Sequence, residues 1–201
     1  MLKRLLFTSI AIVAISTTIS AQSLTKTEKS AITKRVEAFI KGTIDKDYTG
    51  LLEFTYPKLF TMASKEMMLA TFESMEDMGL NMMVDVMKIQ QISALHESGN
   101  DQYALVKYST EMRIGVSGQM AQPEAIASLE ASFVNAYGKE NVSYNEEKKQ
   151  FEASGIKHMV LIKEEAYGPE WYIMEWNTDN PAIIQALLSP EVIQKASERI
   201  K

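Results

Sequence analysis

Apolar residues in the first third of the chain recur at three- and four-residue spacing, which is the pattern of an amphipathic helix. The first such stripe begins after Thr25 or Thr27 and ends near Lys46. A short second helix follows it. Ser64 is placed to cap a third helix, and Gly79 is placed to end that helix. We therefore expect three helices to precede the first strand.

The spacing changes to alternation at Met82, which indicates β-strands. One long strand is expected to reach about Ala94, and a second is expected at 103–116, after a strong turn signal at 97–101. Residues 123–138 return to helical spacing. They are predicted to form a helix that interrupts the sheet.

The strongest core signal lies at 156–177, where two apolar runs flank a turn at 166–169. The second run contains both tryptophans, Trp171 and Trp176. This pattern predicts a hairpin that forms a wall of the core, and a separate polar hairpin is expected before it at 142–153. Two further helices are expected in the tail. Together these elements indicate the α+β class, with helices packed on a sheet.

This order of elements resembles the nuclear transport factor 2-like superfamily, a cone of bent sheet closed by helices. The resemblance rests on the break at 45–48, the corner at 51–60 and the last strand at 171–176. More narrowly, the corner and the segment 188–192 resemble exported proteins of Bacteroidetes-type bacteria. The resemblance implies a cone-like curved antiparallel sheet with N-terminal helices packed on one face, plus a helical insertion and C-terminal helices. The superfamily includes isomerases, dehydratases, cyclases, transport adaptors and ligand binders, so the resemblance implies no single function.

The beginning of the chain has the layout of a secretory signal peptide. Lys3 and Arg4 form a short basic region, residues 5–15 are apolar, and Ala21 is a small residue at a plausible cleavage point. The apolar run is shorter than the ~20 residues of a transmembrane helix, and no later stretch is long enough. We therefore expect a periplasmic or secreted protein, with a signal peptide at 1–21 and a single domain at 22–201.

Charge and cysteine content exclude several functions. The net charge of −5 becomes −7 when Lys3 and Arg4 leave with the signal peptide. An acidic surface argues against nucleic acid and anionic membranes as partners. The chain has no cysteine and only two histidines, so thiol catalysis is excluded and a zinc site is not expected. No metal and no cofactor are predicted.

Methionine is the unusual feature of the composition, with 13 residues in the chain. Eight of them fall between Met62 and Met87. Thioethers can bind Cu(I) in an exported protein, but methionine also fills irregular cores and pliable pockets. The second interpretation is favoured here because these methionines follow helix and strand spacing.

Three titratable residues are the candidates for catalysis: Glu175, Asp85 and His158. Glu175 alternates with Trp171 in the last strand. If the Trp171 face points inward, Glu175 is a buried carboxylate with a raised pKa and a possible general base; if the opposite face does, Glu175 is a surface residue. Asp85 lies between Val84 and Val86, so it is likewise either a cavity carboxylate or a surface residue, depending on which face of its strand is buried. His158 shares a strand face with Glu164, which could form an acid–base pair.

Four aromatic residues are the candidates for ligand contact: Tyr56, Tyr108, Trp171 and Trp176. The signal peptide, the lack of a catalytic constellation and an interior rich in methionine and aromatic residues lead us to expect an exported non-enzymatic protein that binds a small apolar ligand or a protein partner. The alternative is an isomerase- or dehydratase-like enzyme that uses a cavity carboxylate. A homodimer through the exposed face of the sheet is a third expectation.

Overall fold

The computed structural model describes residues 23–177 and 181–200, so the predicted signal peptide at 1–21 lies outside the described residues. The described part is α+β, as predicted. Its α-helices are α1 (Lys26–Asp45), α2 (Tyr48–Leu52), α3 (Lys65–Asp77), α4 (Pro123–Tyr137), α5 (Pro181–Leu187) and α6 (Pro190–Ile200). Its strands are β1 (Leu80–Ser98), β2 (Asp101–Val116), β3 (Val142–Asn145), β4 (Gln150–Lys163) and β5 (Tyr172–Glu175).

Local hydrogen bonds explain where the first two helices begin and end. The Thr25 hydroxyl accepts from the Glu28 amide at 3.2 Å, and the Glu28 carboxylate accepts from the Thr25 amide at 2.7 Å. This reciprocal pair satisfies backbone donors that the first turn of α1 leaves free. Lys46 adopts the left-handed conformation that ends α1, and Asp47 then caps α2 by accepting from the Gly50 amide.

The sheet is antiparallel and open. Its strands lie in the order β1-β2-β4-β3, and β5 also pairs with β4, beyond the reach of β3. Thr55 extends the sheet past β5 through a parallel bridge to Ile173. Three register shifts interrupt the pairing of the long strand β1 with β2. Such bulges increase the local twist and bend a strand, which accords with the curved sheet expected from the sequence.

One prediction about the strands was wrong. The polar hairpin at 142–153 and the hairpin at 156–177 are not separate, because β4 runs unbroken through both. The two predicted hairpins leave a gap at 154–155, but Gly155 pairs with Thr110 inside the strand. A Cβ at Gly155 would lie only 3.2 Å from Cδ1 of Tyr137. The glycine therefore allows the Tyr137 ring to lie directly on the sheet.

The first face of the sheet packs against α1 and α4. Ile32 and Val36 of α1 are fully buried against even-numbered residues of β2, such as Val106, and odd-numbered residues of β4 and β5. Further along the same face, α4 packs on Phe151 and Ala153. The two helices thus cover different parts of one face.

The second face packs against the C-terminal helices. Val192 and Ala196 of α6 are fully buried in a cluster that includes Leu105, Val160 and Met174. The hairpin at 156–177 is therefore buried on both sides, because its Trp171 face meets α1 and its Tyr172 face meets α5 and α6. The sequence analysis expected one of these two faces to be buried and the other to be exposed, but helices cover both faces.

Within residues 23–177 and 181–200, no helix is long and apolar enough to cross a membrane.

Candidate functional site

Glu175, the last residue of β5, lies on the face of the sheet that α1 and α4 cover. It is in register with Met159 of β4, and Met159 belongs to the core beneath α1. Tyr108 reaches it across β4 from β2, and the phenol donates a hydrogen bond to Glu175 Oε2 at 2.8 Å. Two residues that sequence reasoning singled out separately are thus brought into direct contact.

The pair opens into a pocket of about 360 Å³. We call it the Glu175 pocket. The end of α4 forms one wall, and the strands form the floor. The lining residues are Tyr108, Asn135, Ala136, Tyr137, Lys157, Glu175, Trp176 and Asn177. The pocket lies at the edge of the covered face, where the packing beneath α1 gives way to the packing beneath α4.

The Glu175 carboxyl is accessible to solvent and also surrounded by protein. By surface area the residue is exposed, yet loss of hydration is the largest influence on its pKa. The exposure of the side chain and the loss of hydration agree when the accessible part of Glu175 faces the interior of the pocket. Desolvation raises the pKa of Glu175 to about 7, against the opposing effects of the Tyr108 hydrogen bond and the Lys157 charge.

The two tyrosines of the pocket remain neutral hydrogen-bond donors near neutral pH. Burial, followed by the charge of Glu175, raises the pKa of Tyr108 far above its usual value and the pKa of Tyr137 to about 12. The Lys157 ammonium lies 4.1 Å from the centre of the Tyr137 ring and donates to the carbonyl of Ala136 at 2.5 Å. Lys157 is therefore tied to the end of α4 and helps to hold the Tyr137 ring over Gly155.

This arrangement can exchange a proton near neutral pH and can hold a small molecule by hydrogen bonds and aromatic contact. A carboxyl with a pKa near 7 is suited to general acid or base chemistry. Among the described residues, no group of three or more His, Cys, Asp or Glu side chains could hold a metal ion.

Asp85, the second catalytic candidate, lies elsewhere. Its carboxylate pairs with the Arg113 guanidinium through two contacts of 2.5 and 2.6 Å. The hydrogen bonds from Arg113 hold the pKa of Asp85 below its usual value. Both side chains are exposed, and they line an open depression of about 430 Å³, so Asp85 is the partner in a surface ion pair.

His158, the third catalytic candidate, projects from β4 on the face opposite to the Glu175 pocket. Burial, and then the neighbouring Lys107 charge, lower the pKa of His158. Glu164, its expected partner, lies six residues away, or about 20 Å along a strand. The Glu164 carboxylate instead accepts hydrogen bonds from Tyr56 and Tyr103, at 2.8 and 2.7 Å. The His158–Glu164 pair is not formed.

The four aromatic candidates divide into two groups. Tyr108 and Trp176 line the Glu175 pocket. Tyr56 is fully buried and is occupied by its hydrogen bond to Glu164. Trp171 is 5% exposed and packs beneath α1, where it also lines an open depression of about 610 Å³. The structure therefore brings together Glu175, Tyr108 and Trp176 out of the seven candidates.

Sequence reasoning did not single out five of the eight residues that line the pocket, among them Tyr137 and Lys157, and it misjudged one histidine. Tyr137 was placed in the predicted helix at 123–138 by its spacing alone. Lys157 was not considered, although a lysine within an apolar strand is the signal that could have marked it. His96 directly precedes the turn signal at 97–101, a position that favours a solvated side chain, but its side chain is only 12% exposed and contacts Glu191 and Lys195 of α6. The α6 helix that covers this end of β1 is the cause.

The methionines follow the helices and strands that contain them. Met62, Met67 and Met78 are at least 47% exposed around α3, whereas Met82 and Met87 are half-buried on β1. The favoured interpretation of the methionines, that they fill the core and pliable pockets, stays a prediction, as does a homodimer through the exposed part of the sheet, where Ile156 and Val86 are exposed.

Comparison of the sequence with protein-family models and with curated proteins finds no match.

Proposed function

We propose that the chain is an exported ligand-binding protein with a nuclear transport factor 2-like fold, and that the Glu175 pocket is its ligand site. The hydrogen-bonded Tyr108–Glu175 pair at the floor of a pocket of about 360 Å³ carries this proposal. Ligand sites are commonly about 300–1,000 Å³, so the pocket is of a size for a small molecule. The basic and apolar segments at the start of the sequence support export to the periplasm or outside the cell.

The lining of the pocket favours an amphipathic ligand over the purely apolar one expected from composition. Trp176 and Tyr137 offer aromatic surface, whereas Glu175 offers a carboxyl group for hydrogen bonding. A ligand with a hydrogen-bond donor for Glu175 and a flat apolar part would satisfy both kinds of surface.

Mass spectrometry of retained molecules tests this proposal. The purified protein is exposed to an extract of lipids and metabolites, washed, and denatured to release what it holds. The wild-type protein is expected to retain a species that Glu175→Gln and Tyr108→Phe variants lose. A Glu147→Gln variant, changed at an exposed acid in the β3–β4 turn, is the matched control and should retain it. Failure of the wild-type protein to retain any species would refute the proposal.

The pKa of Glu175 near 7 favours a second candidate, an isomerase- or dehydratase-like enzyme in which Glu175 transfers the proton. Of the three acid–base candidates, Glu175 alone lines the pocket. Carbon-13 NMR of the glutamate carboxyl groups measures this pKa directly. The Tyr108→Phe variant should titrate at higher pH than the wild-type protein, because it lacks the hydrogen bond that favours the carboxylate. A Glu175 that titrates near the ordinary value of 4.5 would remove the basis for the enzyme.

A further inference from the structure

A cavity of about 140 Å³ lies on the face of the sheet opposite to the Glu175 pocket. We call it the Lys107 cleft. Its lining residues are Gln91, Ser93, Leu105, Lys107, His158 and Arg199. None of these residues contributes to the Glu175 pocket or to the function proposed for it.

Strand register builds the floor of the cleft. Gln91 of β1 is paired with Lys107 of β2, and Lys107 is paired with His158 of β4. Directly paired residues project from the same face of a sheet, and neighbouring strands lie about 4.8 Å apart. The three side chains therefore form a row across three strands. Arg199 completes the cleft from α6, which packs along β1.

The lining consists mainly of groups that donate hydrogen bonds or carry positive charge. It contains no carboxylate. Within the described residues, neither Lys107 nor Arg199 makes an ion pair with an acidic side chain. Gln91 Nε2 donates to Ser93 Oγ at 3.0 Å, so this bond leaves the Ser93 hydroxyl hydrogen able to donate to a ligand.

The residues that line the cleft carry a net positive charge. Burial, and then the charge of Lys107, lower the pKa of His158. Glu198, the acid next to Arg199 in sequence, accepts a hydrogen bond from Gln194 on α6. A local excess of cations is unusual in a chain with a net charge of −5.

The size of the cleft limits what it can hold. Since one water molecule occupies about 30 Å³ in the liquid, about 140 Å³ corresponds to roughly five waters. This volume is well below that of a site for a drug-sized ligand. It is sufficient for one small anion or for the anionic group of a larger molecule that extends into solvent.

We propose that the Lys107 cleft binds a small tetrahedral oxyanion of the phosphate or sulfate class. Lys107 and Arg199 supply the charge, and Ser93 and His158 supply further donors. These groups approach from three strands and from a helix above them, and donors that converge from several directions suit a tetrahedral anion better than a planar one.

NMR titration of the nitrogen-15-labelled protein tests the proposal. Sodium phosphate, sodium sulfate and sodium acetate are titrated separately, with sodium chloride adjusted to keep ionic strength constant. Phosphate and sulfate are expected to give saturable shifts of the backbone amides of Gln91, Ser93, Lys107 and His158. Lys107→Gln and Arg199→Gln should each weaken phosphate binding about tenfold, which is the effect of losing one charged hydrogen bond.

Lys148→Gln is the matched control, because it removes the same charge from an exposed position in the β3–β4 turn. It should leave phosphate binding unchanged. Lys107 and Arg199 are themselves exposed, so their variants are expected to fold, and urea unfolding checks this. Shifts that do not saturate, or equal weakening by Lys148→Gln, would overturn the site. Acetate binding as tight as phosphate binding would overturn its assignment to a tetrahedral oxyanion.

Discussion

The contacts of the buried Glu164 carboxylate predict how substitutions at this position change the free energy of unfolding. Its side chain is almost inaccessible, and a single oxygen, Oε1, accepts hydrogen bonds from the phenols of both Tyr56 and Tyr103. Both tyrosines are buried. Lys58 also pairs with the carboxylate at 3.2 Å, but the lysine side chain is 41% exposed. Replacing Glu164 by leucine would leave two buried hydroxyls without their acceptor.

The expected cost follows from these contacts. An unsatisfied buried hydroxyl costs about 1–3 kcal/mol, so Glu164→Leu should lower the free energy of unfolding by about 2–6 kcal/mol. Glu164→Gln retains an Oε1 that can accept from both phenols and loses only the negative charge. Since the exposed Lys58 pair is worth about 0–1 kcal/mol, the glutamine variant should lose about 1 kcal/mol. The total stability of a domain is about 5–15 kcal/mol, so the difference is measurable.

Urea unfolding at pH 7, followed by the fluorescence of Trp171 and Trp176, measures these values. A third variant separates the hydrogen bonds from packing: Glu164→Leu combined with Tyr56→Phe and Tyr103→Phe removes the stranded hydroxyls and should recover part of the loss. Equal losses for the glutamine and leucine variants would refute the reasoning, because the charge would then matter and the acceptor would not.

Two further predictions concern the Glu175 pocket. The native pKa of Glu175 is raised above its unfolded value, so the native state holds a proton between about pH 4.5 and 7 that the unfolded chain has lost. Stability should therefore fall as pH rises through this interval, and urea unfolding across it should show a weaker fall for Glu175→Gln but an unchanged fall for Glu147→Gln. Gly155→Val should cost about 1–3 kcal/mol by pushing the Tyr137 ring off the sheet. This cost should shrink in a Tyr137→Ala background, and a cost independent of Tyr137 would contradict that cause.

Much of the fold could be predicted because its signals are local. The capping residues Thr25 and Ser64, the left-handed Gly79 and the alternation in the long strands each act within a few residues of the chain. The helices, the two long strands and the α+β class follow from such signals. The strand β4 was predicted as two hairpins divided near Gly155, because the reason for a glycine there, close contact with the Tyr137 ring, comes from an element distant in sequence.

The sites could be predicted only in part, because they depend on register. Alternation assigned Glu175 to a face of β5, but it could not show that Tyr108, two strands away, would reach the carboxylate. The row of Gln91, Lys107 and His158 likewise exists only when three strands are paired as they are here. Glu164 followed Val160 and Ile162 on one strand face, which was the available signal of its burial.

The two proposed sites are close in sequence and separate in space. Lys157 and His158 are consecutive in β4, so their side chains leave opposite faces of the sheet. Lys157 lines the Glu175 pocket, and His158 lines the Lys107 cleft. The two sites are joined by a backbone hydrogen bond, in which the Trp176 amide donates to the His158 carbonyl at 2.9 Å. Substitutions at Glu175 and at Lys107 share no side-chain partner, so their effects on stability should add within about 0.5 kcal/mol. A larger deviation in the double variant would show that the backbone of β4 couples the two sites.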